Sequence, residues 1–80
     1  MASIAKTEAE LAERASRFLK AELKRADVTY EELAKRLRDR GLEETRDSVA
    51  AKLKRGTFAA TFFLAVVAAL ELSSIEMDAL

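Results

Sequence analysis

The stretch GTFAATFFLAVVAAL, from Gly56 to Leu70, carries no charged side chain, although 35% of the residues in the whole chain are charged. A helix needs about 20 apolar residues to cross a bilayer, and shorter apolar runs are more often buried helices. The stretch is fifteen residues long, so we expect no membrane span. It predicts a helix over residues 58–72 that either fills the core alone or serves the core on one side and a partner on the other.

Composition predicts a small, entirely helical protein. The chain has 80 residues, half of them hydrophobic, with two glycines and no proline, cysteine or histidine. The missing cysteines and histidines exclude disulfides and the usual zinc and haem ligands, so no metal or cofactor is expected. We predict one all-α domain over residues 1–80, a bundle of four to five helices. Because so small a domain buries only about 60% of its unfolded surface, self-association would help to stabilise it.

Threonines and glycines mark the predicted helix boundaries. The sequences TEAE, from Thr7, and TYEE, from Thr29, have the spacing of a capping box, in which a threonine and a glutamate each bond the other's backbone amide. They predict a first helix at 8–26 and the start of a second one. Gly41 follows the second helix in the manner of a Schellman ending, which places Leu42 against Leu37.

The same signals continue toward the end of the chain. Thr45 is predicted to cap a third helix that Gly56 closes, and Thr57 to cap the fourth. SSIE, at residues 73–76, predicts either a very short fifth helix or an extended tail. The apolar spacing predicts a common core of these residues: Phe18, Leu23, Leu33, Leu37, Val49, Leu53, Phe62 and Val66.

Charge is unevenly distributed, although the net charge of the chain is zero. Residues 35–55 hold eight basic and four acidic side chains, a net charge of +4. Residues 1–34 carry a net charge of −1, and residues 56–80 carry −3 with no basic residue. The middle third is therefore a candidate surface for an anionic partner.

Two segments resemble the lambda-repressor/Cro-like helix-turn-helix. They are TYEELAKRL, in the second predicted helix, and VAAKLKRG, at the end of the third. The apolar segment FFLAVVAALEL is similar to the helix that closes the core of that domain. The chain looks closer still to an uncharacterised proteobacterial domain-of-unknown-function family with a KLKRGTF-like signature. The resemblance implies a helix-turn-helix at residues 29–55, with helix 46–55 as recognition helix.

Three departures from the repressor-like pattern stand out. About six additional residues separate Leu37 from Leu53, which lengthens either the helix or the turn. Glu71 stands where the pattern usually has glycine. Ala51 stands where the closer family favours asparagine, a side chain able to bond adenine through two hydrogen bonds.

The resemblance implies a bacterial transcriptional regulator that binds double-stranded DNA in the cytoplasm, at the nucleoid. Phosphate contacts are expected from Arg36, Arg38, Lys52, Lys54 and Arg55. Around the start of the recognition helix, the expected contacts come from Thr45, Arg46 and Ser48. The alternative is a solvated basic face whose charges pair with Asp39, Glu43, Glu44 and Asp47.

The sequence favours binding over catalysis, because no nucleophile motif and no phosphate-binding glycine loop is present. We expect no small-molecule substrate. Helix 58–72 has no charged side chain before Glu71, and its uncharged surface predicts a homodimer interface formed by Phe63, Ala65, Val67 and Ala68. The alternative function is a protein-interaction module, such as an antitoxin or adaptor, that docks through helix 58–72 and the acidic C-terminal tail.

Overall fold

Four α-helices make up most of the structure, a computed structural model that describes residues 7–80. They are α1 (Glu8–Ala26), α2 (Tyr30–Asp39), α3 (Arg46–Arg55) and α4 (Ala60–Ala69). A short 3₁₀ turn, Met77–Ala79, follows, and this part of the chain contains no strand. The all-α prediction is confirmed for these residues, and the first six residues of the predicted domain lie outside them. None of these helices has the length and apolar character that crossing a membrane requires.

Three of the helices begin where the threonines predict. The hydroxyls of Thr7, Thr29 and Thr45 each accept a hydrogen bond from the backbone amide three residues later. The reciprocal half of both predicted boxes is wrong, because the Glu10 carboxylate accepts from the Thr7 hydroxyl and the Glu32 carboxylate accepts from Arg36. The reciprocal pair occurs at α3, where the Ser48 hydroxyl accepts from the Thr45 amide at 2.8 Å. Each threonine thus satisfies an amide that the first helical turn leaves without a partner.

The ending predicted for α2 is also present. Gly41 has a φ of +90°, and the Leu42 amide donates to the Leu37 carbonyl at 3.0 Å. This is the Schellman pattern, which requires a left-handed residue. Two other helices end in the same way without glycine, since Asp27 and Glu71 both have a φ of 58°. The glycine that the repressor-like pattern has at position 71 would suit this backbone better than glutamate does.

The fourth helix is shorter than the predicted span of 58–72. It begins after Ala59, which has no side-chain cap, so the predicted capping role of Thr57 is wrong. Phe58 lies in the extended segment before the helix, and its ring centroid is 5.1 Å from that of Phe62. Packing of the aromatic ring therefore outweighs the local capping signal. The left-handed turn at Glu71 ends the helix.

The C-terminal segment has no fifth α-helix. Residues 72–76 have no regular structure, and the 3₁₀ turn begins only after Glu76. The chain then returns to α1, where Arg14 Nη1 donates to the Leu80 carbonyl at 2.8 Å. Of the two predicted alternatives, the irregular tail that packs on a neighbouring element describes the structure better.

The core forms where α3 packs against both α1 and α2, and α2 against α4. Seven of the eight predicted core residues are buried, and only Phe18 lies at the edge, half-buried. Leu11, near the start of α1, lies outside this core and is 46% exposed. The buried side chains of this helix are Ser16, Leu19, Glu22 and Leu23. The Ser16 hydroxyl donates to the Leu53 carbonyl, which joins α1 to α3 in the interior.

The end of α3 touches the backbone of α1 at a glycine. Gly56 is buried with a φ of +77°, and a Cβ atom built there would lie 2.4 Å from the Ala12 carbonyl oxygen. Gly41 also has a positive φ, but a Cβ atom there would meet nothing within 4 Å. Substitution of each glycine by alanine therefore distinguishes the cost of backbone strain, present at both positions, from the cost of disturbing the helix–helix contact, present only at Gly56.

Gly56→Ala should lower the free energy of unfolding by about 2–5 kcal/mol, because it adds overpacking to left-handed strain. Gly41→Ala, the matched control, should cause only the strain, about 1–2 kcal/mol. Urea denaturation followed by circular dichroism measures both. Equal losses in the two variants would show that the contact between Gly56 and Ala12 has no energetic role.

Candidate nucleic-acid interface

The outward face of α3 is the exposed surface of the predicted recognition helix. Val49 and Leu53 point into the core, and the opposite side exposes Asp47, Ala51 and the two cations at the end of the helix, Lys54 and Arg55. This face is thus acidic or neutral over its first half and basic over its last turn. Ala51 can offer a base only its methyl group.

Three predicted DNA contacts instead bond Glu44, two through its carboxylate and one through its backbone carbonyl. Glu44 lies in the connection between α2 and α3 and is buried. Its Oε1 accepts from the Ser48 hydroxyl at 2.6 Å, and its Oε2 from the Lys52 ammonium. The Glu44 carbonyl accepts from Arg38 Nη1 at 2.9 Å. A carboxylate in the interior needs charge pairing and hydrogen bonds, and these residues supply both.

Lys52 is held on its other side by an aromatic ring. Its ammonium lies 5.0 Å from the centroid of Phe62, within the range of a cation–π contact. Only 31% of the lysine side chain is exposed. Lys52 therefore connects the Glu44 carboxylate to Phe62 of α4. A DNA phosphate that bound the Lys52 ammonium would have to compete with both contacts.

Arg36 and Arg40 contact the end of α4. Arg36 Nη1 donates to the Ala69 carbonyl at 2.9 Å, and its Nε donates to Glu32 at 3.0 Å. Arg40 Nη2 lies 3.4 Å from the Ala68 carbonyl. The last carbonyls of a helix lack partners within the helix, and these guanidinium groups bond them. The structure thus gives Arg36 two intramolecular partners.

The remaining predicted site residues lie at the surface. Thr45 is exposed and caps α3. Arg46 is 3.6 Å from the carboxylate of its neighbour Asp47, and both side chains are mostly exposed. Arg55 Nε donates to the Thr57 carbonyl at 3.2 Å. Weak contacts between exposed groups such as these exchange readily for contacts with another molecule.

A groove with a volume of about 900 Å³ runs between α1 and the end of α3. Lys20 and Lys24 of α1 line it on one side, with Lys54 and Arg55 of α3 on the other. Sequence reasoning assigned no role to the two α1 lysines, because they belong to a segment with a net charge of −1. The structure places them beside the basic end of α3.

The predicted dimer residues are divided between core and surface. Phe63 and Ala65 are half-buried and pack against the core. Val67 is half-buried and Ala68 is exposed. The most exposed large apolar side chain on α4 is one that was not predicted, Leu64, at 62%. The helix has no charged residue in its first or last turn, so its outer face stays uncharged.

Acidic side chains of residues 7–80 do not converge on a point where a metal ion could bind. Within this range, every buried side-chain nitrogen and oxygen has a hydrogen-bond partner. The polar groups of the interior are therefore satisfied by the protein itself.

These features define a small all-α domain in which the basic third helix packs on α2, and α2 packs on the apolar fourth helix. Residues 11–75 match the family described as Domain of unknown function (DUF6471). The match covers most of the chain, and the chain belongs to that family. No curated protein and no solved structure matches it.

Glu44→Gln should reduce the free energy of unfolding by about 1–3 kcal/mol, because it leaves the partly buried Lys52 ammonium without its counter-charge. Glu43→Gln makes the same chemical change at an exposed neighbour and should alter stability by no more than about 0.5 kcal/mol. Urea denaturation compares the two variants. If Glu44→Gln is as stable as its control, the buried ion pair does not hold the connection.

Proposed function

We propose that the protein binds double-stranded DNA as a transcriptional regulator, in the cytoplasm at the nucleoid. In this proposal α2 and α3 form a helix-turn-helix related to that of the lambda repressor, and α3 is the recognition helix. The observation that carries it is the outward face of α3. This face stays outside the Glu44 network and ends in two exposed cations, Lys54 and Arg55.

The connection between the two helices is longer than in a standard helix-turn-helix. Six residues, 40–45, separate α2 from α3, whereas the usual turn has about three or four. The longer turn accounts for two or three of the roughly six additional residues between Leu37 and Leu53. The bonds to Glu44 hold the longer turn, so α3 keeps a fixed position relative to α2.

The exposed side chains indicate which contacts would form. Arg46, Lys54 and Arg55 are the cations of α3 that we assign to phosphates, while Lys52, Arg36 and Arg38 stabilise the fold. Base recognition would be limited, because Ala51 lacks polar atoms and the Asp47 carboxylate repels phosphate. We therefore expect the affinity to come mainly from the DNA backbone, with sequence preference arising from DNA shape or from two half-sites.

Lys54→Ala and Arg55→Ala test the assignment through salt dependence. Each phosphate contact releases counterions, so the three α3 contacts alone predict a slope of log K against log salt of about −3 per protomer. Each variant should flatten that slope by about one unit. Fluorescence anisotropy with a random-sequence duplex, starting at about 50 mM salt, measures it.

Arg14→Ala is the control, because this arginine of α1 donates to the Leu80 carbonyl. Its loss should leave the slope nearly unchanged. Absence of duplex binding by the wild-type protein at low salt would contradict the proposed function. Equal effects of Arg14→Ala and Arg55→Ala would contradict the assignment to α3.

We further propose that the protein forms a homodimer through α4, which would present two copies of α3 to DNA. The support is the uncharged outer face of this helix, on which Leu64 and Ala68 are exposed. Isologous contacts are the commonest way to bury such a surface. The half-buried Phe63, Ala65 and Val67 would flank the contact.

Leu64→Glu should convert the dimer into a folded monomer, because the charge would be buried at the centre of the contact. Leu11→Glu places the same charge on another exposed leucine, on α1, and should leave the dimer intact. Analytical ultracentrifugation at tens of micromolar protein reports the mass. A monomeric wild-type protein at that concentration would remove the dimer proposal.

The same exposed leucine supports the second candidate function, a protein-interaction module that docks through α4 and the acidic tail. An antitoxin or adaptor of this kind would not require the cations of α3. Loss of duplex binding on Lys54→Ala and Arg55→Ala favours the DNA-binding function. A protein that binds no duplex, yet forms a stoichiometric complex that Leu64→Glu abolishes, favours the module.

A further inference from the structure

The groove between α1 and α3 depends on how closely the two helices approach. Gly56 lies against the Ala12 backbone, and the Ser16 hydroxyl bonds the Leu53 carbonyl. Small side chains on this part of α1, including Ala12 and Ala21, leave the space between the helices open. Small side chains therefore form the floor of the groove, and long charged side chains border it.

Four of these charged side chains form a basic cluster: Lys20, Lys24, Lys54 and Arg55. None of the four forms an ion pair with an acidic side chain of residues 7–80. Residues 1–6 have no aspartate or glutamate in their sequence. The fifth cation of the groove, Arg17, does pair with an acid, Glu13. The cluster thus has uncompensated positive charge.

Folding alone does not account for this cluster. Cations in the last turn of a helix interact favourably with its dipole, which explains Lys24, Lys54 and Arg55. Lys20 lies more than a turn before the end of α1, where that effect has faded. It also stands four residues before Lys24, and like charges at this spacing destabilise a helix. Helix stability therefore disfavours Lys20, and binding of an anion is the simplest reason for its position.

We infer that this groove binds the phosphodiester backbone of duplex DNA, which makes α1 a second DNA-contacting element beside α3. This rests on the proposed function and deepens it. The reason for choosing DNA is continuity, since Lys54 and Arg55 belong both to the outward face of α3 and to the groove. A DNA strand that passes the end of α3 would reach Lys20 and Lys24 next. The acidic Glu8 and Glu13, which also line the groove, confine that strand to its basic half.

The double variant Lys20→Ala/Lys24→Ala tests this inference. Two contacts from α1 added to three from α3 raise the expected wild-type slope of log K against log salt to between about −4 and −5 per protomer. The double variant should bring the slope back to about −3 and weaken binding to a random duplex at low salt. It should remain about as stable as the wild-type protein, because removal of the like-charge pair offsets the loss of Lys24 from the end of the helix.

Lys35→Ala is the matched control, since it removes an exposed lysine from α2, outside the groove. Its slope should stay close to that of the wild-type protein. If the α1 double variant keeps the wild-type slope while Lys54→Ala and Arg55→Ala flatten theirs, the groove inference is overturned and the proposed function stands. A wild-type protein that binds no duplex overturns both.

Polyglutamate is the second probe, because an acidic protein segment is the other polyanion that the groove could hold. Competition experiments compare it with the duplex for the wild-type protein and the α1 double variant. Duplex binding that polyglutamate displaces only weakly supports the phosphodiester assignment. Polyglutamate binding that needs Lys20 and Lys24, without any binding of duplex, would overturn it in favour of an acidic protein partner.

Discussion

The buried carboxylate of Glu44 is the interaction on which the arrangement of α2 and α3 depends. It lies in a six-residue connection that has no helix or strand of its own. A carboxylate removed from water is costly unless donors surround it, and α3 supplies two of them, Ser48 and Lys52. Arg38 of α2 bonds the carbonyl of the same residue. One residue therefore fixes the end of one helix and the beginning of the next.

This network divides the basic residues of the middle third into two groups. Arg36, Arg38, Arg40 and Lys52 bond the carboxylates and carbonyls of the protein itself. Arg46, Lys54 and Arg55 are exposed on α3. The net charge of a segment does not distinguish these groups, because a cation that stabilises the fold counts the same as one that faces solvent. The proposed DNA surface consequently centres on the last turn of α3 and extends to α1.

Local signals predicted the boundaries of α1, α2 and α3 well, because a threonine cap or a left-handed glycine acts within a few residues. The start of α4 could not be predicted in this way. Phe58 packs against Phe62 and Phe63 from the segment before the helix, and the helix begins only after Ala59, so Thr57 does not cap it. Glu44 resembles any solvated acid in the sequence, because only the fold brings Ser48 and Lys52 to its carboxylate and Phe62 to Lys52. For the α1 lysines a signal did exist, the like-charge spacing of Lys20 and Lys24, but a charge count by segment conceals it.

The central claim is that one continuous surface, formed by the outward face of α3 and the basic side of α1, contacts DNA. Nuclear magnetic resonance of isotope-labelled protein, titrated with a short random duplex at low salt, tests it residue by residue. We expect the backbone amide signals of Lys20, Lys24, Ala51, Lys54 and Arg55 to shift together, while that of Leu64 on α4 stays in place. Shifts confined to α4 and the C-terminal tail, or no shifts at all, would contradict the claim.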